Sequence, residues 1–208
     1  MIDYEIINKC DFPILKVNNF ISDDLMLIKK EIIKLSAETY NTNLITREYD
    51  RVYLDYYYEN DRTQSDILKI TTKYLFSSEM TDIYRSIKEG AFKLIEYSSQ
   101  HESQLTFYGD KHGYEWHQDI EARWFINWIL YIDIDSDFTG GENQISNDEL
   151  SLGNDNTPYN IDISTKPKDN MLIMMPSWVT HRVAPVFCKS KDKLKSRITI
   201  NGHIGYSK

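Results

Sequence analysis

The chain has 208 residues, 41% of them hydrophobic and 27% charged, which is the make-up of a soluble globular protein with a sizeable core. Its net charge of -8 argues against generic binding to nucleic acid, because phosphate-backbone affinity comes from clustered Lys and Arg. Cys10 and Cys188 are too few for a disulfide framework or a cysteine zinc site, and they suit a reducing, cytoplasmic setting.

The N-terminus, MIDYEIINKCDFPILKV, carries acids early and has no basic start followed by a long apolar run, so it does not read as a signal peptide. No apolar stretch approaches the roughly 20 residues that span a bilayer, and no membrane partner is expected. Residues 21–39 place Leu25, Ile28, Ile32 and Leu35 at helical spacing, with Ser22 as N-cap and Asp23 and Asp24 favourable in the first turn. A tyrosine-rich stretch (50–60) follows, then two segments with helical recurrence, 63–77 and 79–99. Gly90 weakens the second by about 1 kcal/mol relative to Ala.

From about residue 103 the apolar period becomes that of strands. SQLTFYG, YEWHQDI, RWFINWILYID, GGENQIS, NIDIST, NMLIMMPS, THRVAPV and RITINGHI are short segments separated by turn residues. No helical pattern separates them, which disfavours a parallel α/β sheet. The expected fold is α+β and mainly β: a double-stranded β-helix (jelly roll) buttressed by N-terminal helices. With no repeat and no linker between the halves, 1–208 reads as one domain, with a helical support region (1–100) and a jelly-roll core (101–208). The lysine-rich KSKDKLKSR (189–197) reads as a solvated loop.

On a strand, YEWHQDI directs His117 and Asp119 to one face. A third donor must come from another strand, and His181 in SWVTHRV is the best candidate. Two His and one carboxylate on one face of an octahedral ion form the facial triad of non-haem Fe(II) oxygenases, which leaves positions open for substrate and oxygen. His101, His112 and His203 lack such company and are expected to be structural. Arg197, in SRITINGHI, shares a strand face with Thr199 and Asn201. A barrel-facing arginine needs an anion, and its planar fork suits a carboxylate.

The order HxD, TGGE (139–142), His181, then Arg197 before ITINGH resembles the 2-oxoglutarate/Fe(II)-dependent oxygenases, closest to their prolyl-4-hydroxylase-like branch of phage and bacterial type. ILKVNNFISDDL is similar to that branch's strand-then-helix opening. The resemblance implies a hydroxylase with Fe(II), 2-oxoglutarate and O2, with ascorbate supportive. His117, Asp119 and His181 match the metal ligands, and no other catalytic residue is implied. Arg197 matches the residue that binds the distal carboxylate of 2-oxoglutarate, joined by Tyr131, Tyr108 and Thr199. Arg197 follows His181 by 16 positions, a longer spacing than the family's, which a hairpin extension would absorb. Halogenating relatives lack the carboxylate ligand, so Asp119 implies hydroxylation. Nucleic-acid demethylases of the superfamily carry a second arginine six positions after the first, where this chain has His203. Trp116, Arg123, Trp124 and Asn201 are candidate substrate contacts. Peptidyl proline is the default acceptor. The alternatives are a small molecule (amino acid, nucleotide or sugar), or a non-catalytic cupin-like module that binds a metal or ligand. The polar segment 143–170 and the tyrosine-rich stretch are candidate walls or lids.

Overall fold

The apolar run WFINWILYI organises the molecule because its two faces bury against different partners. Ile126, Leu130 and Ile132 enter a core shared with the helices, while Ile129 and Tyr131 pack into a second cluster with Ile145, Met171 and Ile173. The computed structural model describes residues 2–38, 50–88, 90–98, 100–121, 123–148 and 160–206. The strands are β1 (Asp3–Ile7), β2 (Ile14–Asn18), β3 (Asp50–Tyr53), β4 (Gln100–Tyr108), β5 (Tyr114–His117), β6 (Trp124–Ile132) and β7 (Phe138–Gly140). They continue with β8 (Asn143–Ser146), β9 (Ile163–Thr165), β10 (Met171–Pro176), β11 (Thr180–Val183), β12 (Val186–Cys188) and β13 (Arg197–Gly205). The helices are α1 (Leu25–Glu38), α2 (Leu54–Tyr57), α3 (Asp66–Leu75), α4 (Ser78–Ser86) and α5 (Gly90–Leu94).

A seven-stranded sheet runs β1-β2-β10-β6-β13-β4-β3, a four-stranded sheet runs β5-β11-β8-β9, and β12 pairs with β7. The pairings are antiparallel throughout. This is the expected jelly roll. The helices cover the outer face of the larger sheet, where Ile28, Ile32, Leu68 and Tyr84 meet Leu130, Ile200 and Ile204. Its inner face looks toward the smaller sheet. Among the described residues, no helix is long and apolar enough to cross a membrane.

Several local expectations change. Helix α1 starts at Leu25, with the Asp24 carbonyl accepting from Leu27 and Ile28. Ser22 does not cap it, because its hydroxyl is engaged by the Tyr74 hydroxyl at 3.1 Å. The helix expected over 79–99 is broken: α4 ends at Ser86, Ile87 is extended, and α5 resumes at Gly90 before a 3₁₀ turn. Strands β1 and β3 were not anticipated. Both are sheet edges with one neighbour each, so burial imposes little alternation on their residues. YEWHQDI remains a strand only to His117. Residues 149–159 of the candidate lid lie outside the described residues.

Candidate metal centre

His117 ends β5 and His181 lies directly opposite it on β11, so antiparallel register alone brings the two imidazoles together, with ring centroids 4.2 Å apart. Asp119 joins them by a different route from the one its spacing suggests. The chain has left the strand, and the Asp119 N–H donates to the Ser177 carbonyl at 2.9 Å. Ser177 is itself held by β6, donating from its hydroxyl to the Trp124 carbonyl at 2.8 Å. The Asp119 carboxylate therefore stands 3.6 Å (Oδ1) from His117 Nε2 and 3.5 Å (Oδ2) from His181 Nε2. One donor atom from each of the three residues falls within a span of 4.8 Å.

The donor chemistry fits a divalent metal. His117 Nδ1–H donates to the Glu115 carbonyl at 2.7 Å, and His181 Nδ1–H donates to the Val179 carbonyl at 2.9 Å. A carbonyl only accepts, which fixes the proton on Nδ1 and leaves each Nε2 lone pair free for an ion. Burial, and then the neighbouring His181, push the His117 pKa down to about 4. Burial likewise lowers that of His181. Both rings are thus neutral at neutral pH, the state that ligates metal. Burial alone would raise the Asp119 pKa, but contacts with His203, His181 and His117 outweigh it and keep the carboxylate ionised.

A cavity of about 230 Å³ runs from this cluster to Arg197. Arg197, Thr199 and Asn201 line it, while Ile198 and Ile200 face the opposite core, as the strand alternation requires. Arg197 is 1% exposed. Its guanidinium lies between the rings of Tyr108 and Tyr131, at 4.6 and 5.0 Å from their centroids. Tyr108 is its direct cross-strand neighbour and lines the cavity, whereas Tyr131 sits behind it in the inner cluster. Arg197 Nε donates to the Gly141 carbonyl at 2.8 Å. Its Nη2 is buried without a hydrogen-bond partner, and among the described residues no carboxylate pairs with it. The Tyr131 hydroxyl also lacks a partner of hydrogen-bonding geometry, although the guanidinium is near enough to offset part of the burial that raises its pKa. Burial pushes the Tyr108 pKa up to about 12 despite Arg197. A buried cation with open donors needs an anion. An organic dicarboxylate reaching from the metal cluster meets that requirement.

The extra residues between His181 and Arg197 form β12 and a short 3₁₀ turn, Lys193–Lys195, and leave Arg197 facing the cavity. Of the candidate substrate contacts, Asn201 lines the cavity and Trp116, Arg123 and Trp124 do not. Trp116 is buried beneath the Arg182 guanidinium, and Arg123 covers the ring of Trp124. Arg51 and Tyr53 of the tyrosine-rich stretch do form part of the wall.

Three residues missed from the sequence crowd the centre. Asn127 Nδ2 donates to Asp119 Oδ2 at 2.6 Å, and His203 Nε2 lies 3.5 Å from the same oxygen. His203 Nδ1 meets Glu102 Oε1 at 2.7 Å. Burial would lower the His203 pKa, but Asp119 and Glu102 together raise it to about 9. Asn143 also lines the cavity, with both amide atoms buried and unpartnered. Two signals in the sequence point to these positions. Asn127 is the one polar residue inside WFINWILYI, and His203 continues the face of Arg197, Thr199 and Asn201 at a period of two.

Residues 103–205 match the family model of the 2OG-Fe(II) oxygenase superfamily. No curated protein sequence matches the chain. The fold is similar to that of a Pseudomonas putida prolyl-4-hydroxylase, with TM-score 0.58 and 17% identity over 95% of this chain and 94% of that one. It is also similar to a Trichoplax adhaerens prolyl hydroxylase, solved with a hypoxia inducible factor oxygen degradation domain peptide fragment (TM-score 0.55, 13% identity, 92% and 83% of the two chains). A third similar fold is that of AviO1 from Streptomyces viridochromogenes, with TM-score 0.55 and 13% identity over 92% and 89%. The chain belongs to the 2OG-Fe(II) oxygenase superfamily, whose metal and co-substrate are Fe(II) and 2-oxoglutarate, and it has the fold of that family's prolyl-4-hydroxylase-like members.

Proposed function

We propose that the protein is a dioxygenase that hydroxylates an unactivated carbon, with peptidyl proline as acceptor. The observation that carries this reading is one cavity with two complementary ends: three convergent metal donors at one and a buried guanidinium with an open donor at the other. His117, Asp119 and His181 would hold the ion, and Arg197, with Tyr108, Tyr131 and Thr199 around it, would bind the distal carboxylate of 2-oxoglutarate. When bound, these partners supply the oxidising chemistry, in which O2 and 2-oxoglutarate yield succinate, carbon dioxide and a hydroxylated product.

The chain's own share is placement. The backbone carbonyls of Glu115 and Val179 aim the two imidazoles, Asn127 fixes one oxygen of the carboxylate, and the buried floor keeps water from the guanidinium. No side chain need act as acid or base. The prolyl hydroxylases of similar fold support a peptidyl proline acceptor. A small polar acceptor is the second reading, favoured by the cavity's outer wall of Arg51, Glu102, Gln104 and Asn201. The two free cysteines support a reducing, cytoplasmic setting.

Succinate release with Fe(II), O2 and ascorbate tests the proposal, screened against proline peptides, free amino acids, nucleosides and sugars. Turnover is expected with at least one class, and it should be abolished in His117→Ala and Asp119→Ala. Unchanged release in both variants would refute the ligand assignment.

A further inference from the structure

Asp119 has two oxygens with different surroundings. Oδ2 is approached by the Asn127 amide at 2.6 Å and by the Nε2 atoms of His181 and His203, each at 3.5 Å, whereas Oδ1 faces His117 Nε2 at 3.6 Å. His203 does not belong to the group of donor atoms that lie within 4.8 Å of one another, so it is not a fourth ligand. The backbone sets this arrangement. His203 on β13 is the cross-strand partner of Glu102 on β4 and of Asn127 on β6, so the three side chains form one row across adjacent strands on the cavity face. Glu102 grips the far ring nitrogen at 2.7 Å, and the Trp124 ring stacks on the imidazole with centroids 5.7 Å apart.

We propose that His203, anchored by Glu102, is a positioning residue that, together with Asn127, holds the Asp119 carboxylate in the orientation that metal ligation requires. The inference rests on the assignment of His117, Asp119 and His181 as ligands. Partners that orient a metal ligand are worth about 10- to 100-fold in metal affinity or activity.

Two near-isosteric variants separate this role from packing. In His203→Gln the amide nitrogen reaches the place of Nε2, and in His203→Asn it reaches only that of Nδ1. Each is assayed without turnover, by anaerobic Fe(II) titration and by the visible absorption that appears when 2-oxoglutarate chelates the bound ion. H203N is expected to weaken Fe(II) binding by about 10- to 100-fold and to shift the absorption, while H203Q, which keeps the approach to Oδ2 but not the grip of Glu102, loses clearly less. Equal behaviour of the two variants, whether both native or both impaired, would overturn the proposal. Should H203N fail to fold, Glu102→Ala carries the test, because it keeps the imidazole but releases it. Weakened Fe(II) binding is expected there, and native affinity would overturn the anchoring. Asp119→Ala tells the two levels apart: native Fe(II) binding in that variant would sink the ligand assignment itself, whereas loss in D119A beside native affinity in H203N would sink only the role of His203.

Discussion

A single buried arginine separates a binding site from a merely stable core. Arg197 has a backbone acceptor for Nε, aromatic faces on both sides and an open Nη2, so a bound anion would complete its set of partners. Arg197→Met keeps much of the volume and removes the charge. It is expected to weaken 2-oxoglutarate by roughly 10- to 150-fold, from the 1.5–3 kcal/mol that hydrogen bonds to charged groups contribute. The change should appear in KM for 2-oxoglutarate, and in loss of the upward Tm shift expected when the co-substrate binds the wild-type protein. An unaltered KM would remove Arg197 from the site. Gly141 supports the same contact: its φ is +71°, and a Cβ there would stand 2.7 Å from Arg197 Cδ. Gly141→Ala is expected to destabilise the fold by about 1–3 kcal/mol, through left-handed backbone strain and displaced side chains. It should also raise KM for 2-oxoglutarate, and native values of both would show the approach is not needed. TGGE was legible as part of a motif, but the spatial reason for its glycine was not, because Gly141 and Arg197 are 56 residues apart and meet only in the folded barrel.

At the scale of elements, legibility follows burial. Strand β6 is apolar on both faces and β13 alternates between core and cavity, so each shows in the sequence, and the face shared by Arg197, Thr199 and Asn201 was readable from period alone. Edge strands β1 and β3 were not, whereas Gly90 did mark the weak point of the 79–99 segment, where the helix breaks and α5 resumes. The placing of His117 and Asp119 on one strand face only half holds, since Asp119 lies in a turn pinned to Ser177. Residues standing alone in sequence hid most. His101 and His203 looked alike there, yet His203 joins the metal centre while His101 serves the joint between β4 and the helices. His101 Nε2 meets the Thr72 hydroxyl at 3.0 Å and its ring packs on Phe76. Burial, aided by Arg62, lowers its pKa from 6.5 to about 4. The folded protein therefore binds this proton later than the unfolded chain does. Stability from a neutral His101 is complete above about pH 6.5 and is lost as pH falls toward 4, by up to roughly 3 kcal/mol. Urea midpoints at several pH values should fall more steeply across that window for wild type than for His101→Gln. Parallel profiles would show that His101 does not contribute to the slope.

For the whole molecule, the sheet order ties the helical front half to the barrel. Strand β2 lies beside β10 and β3 beside β4, so front-half residues extend both sides of the larger sheet. Its outer face would be bare without them, because Leu105, Ile126, Leu130, Leu172, Ile198 and Ile200 bury against the same cluster as Ile28, Ile32, Leu68 and Phe92. An apolar face of that extent exposed to water would favour association over independent folding. We therefore propose that residues 1–208 unfold as one unit, and the chain has built-in probes for each half. Its four tryptophans (Trp116, Trp124, Trp128 and Trp178) all lie in the back half, while helices α1 to α5 all lie before residue 95. Tryptophan fluorescence and helical circular dichroism thus report on different halves of the same molecule. In urea the two signals are expected to share one midpoint and one slope. A fluorescence transition separated from the dichroism transition would show that the barrel survives without its helices, and that the shared core does not couple them.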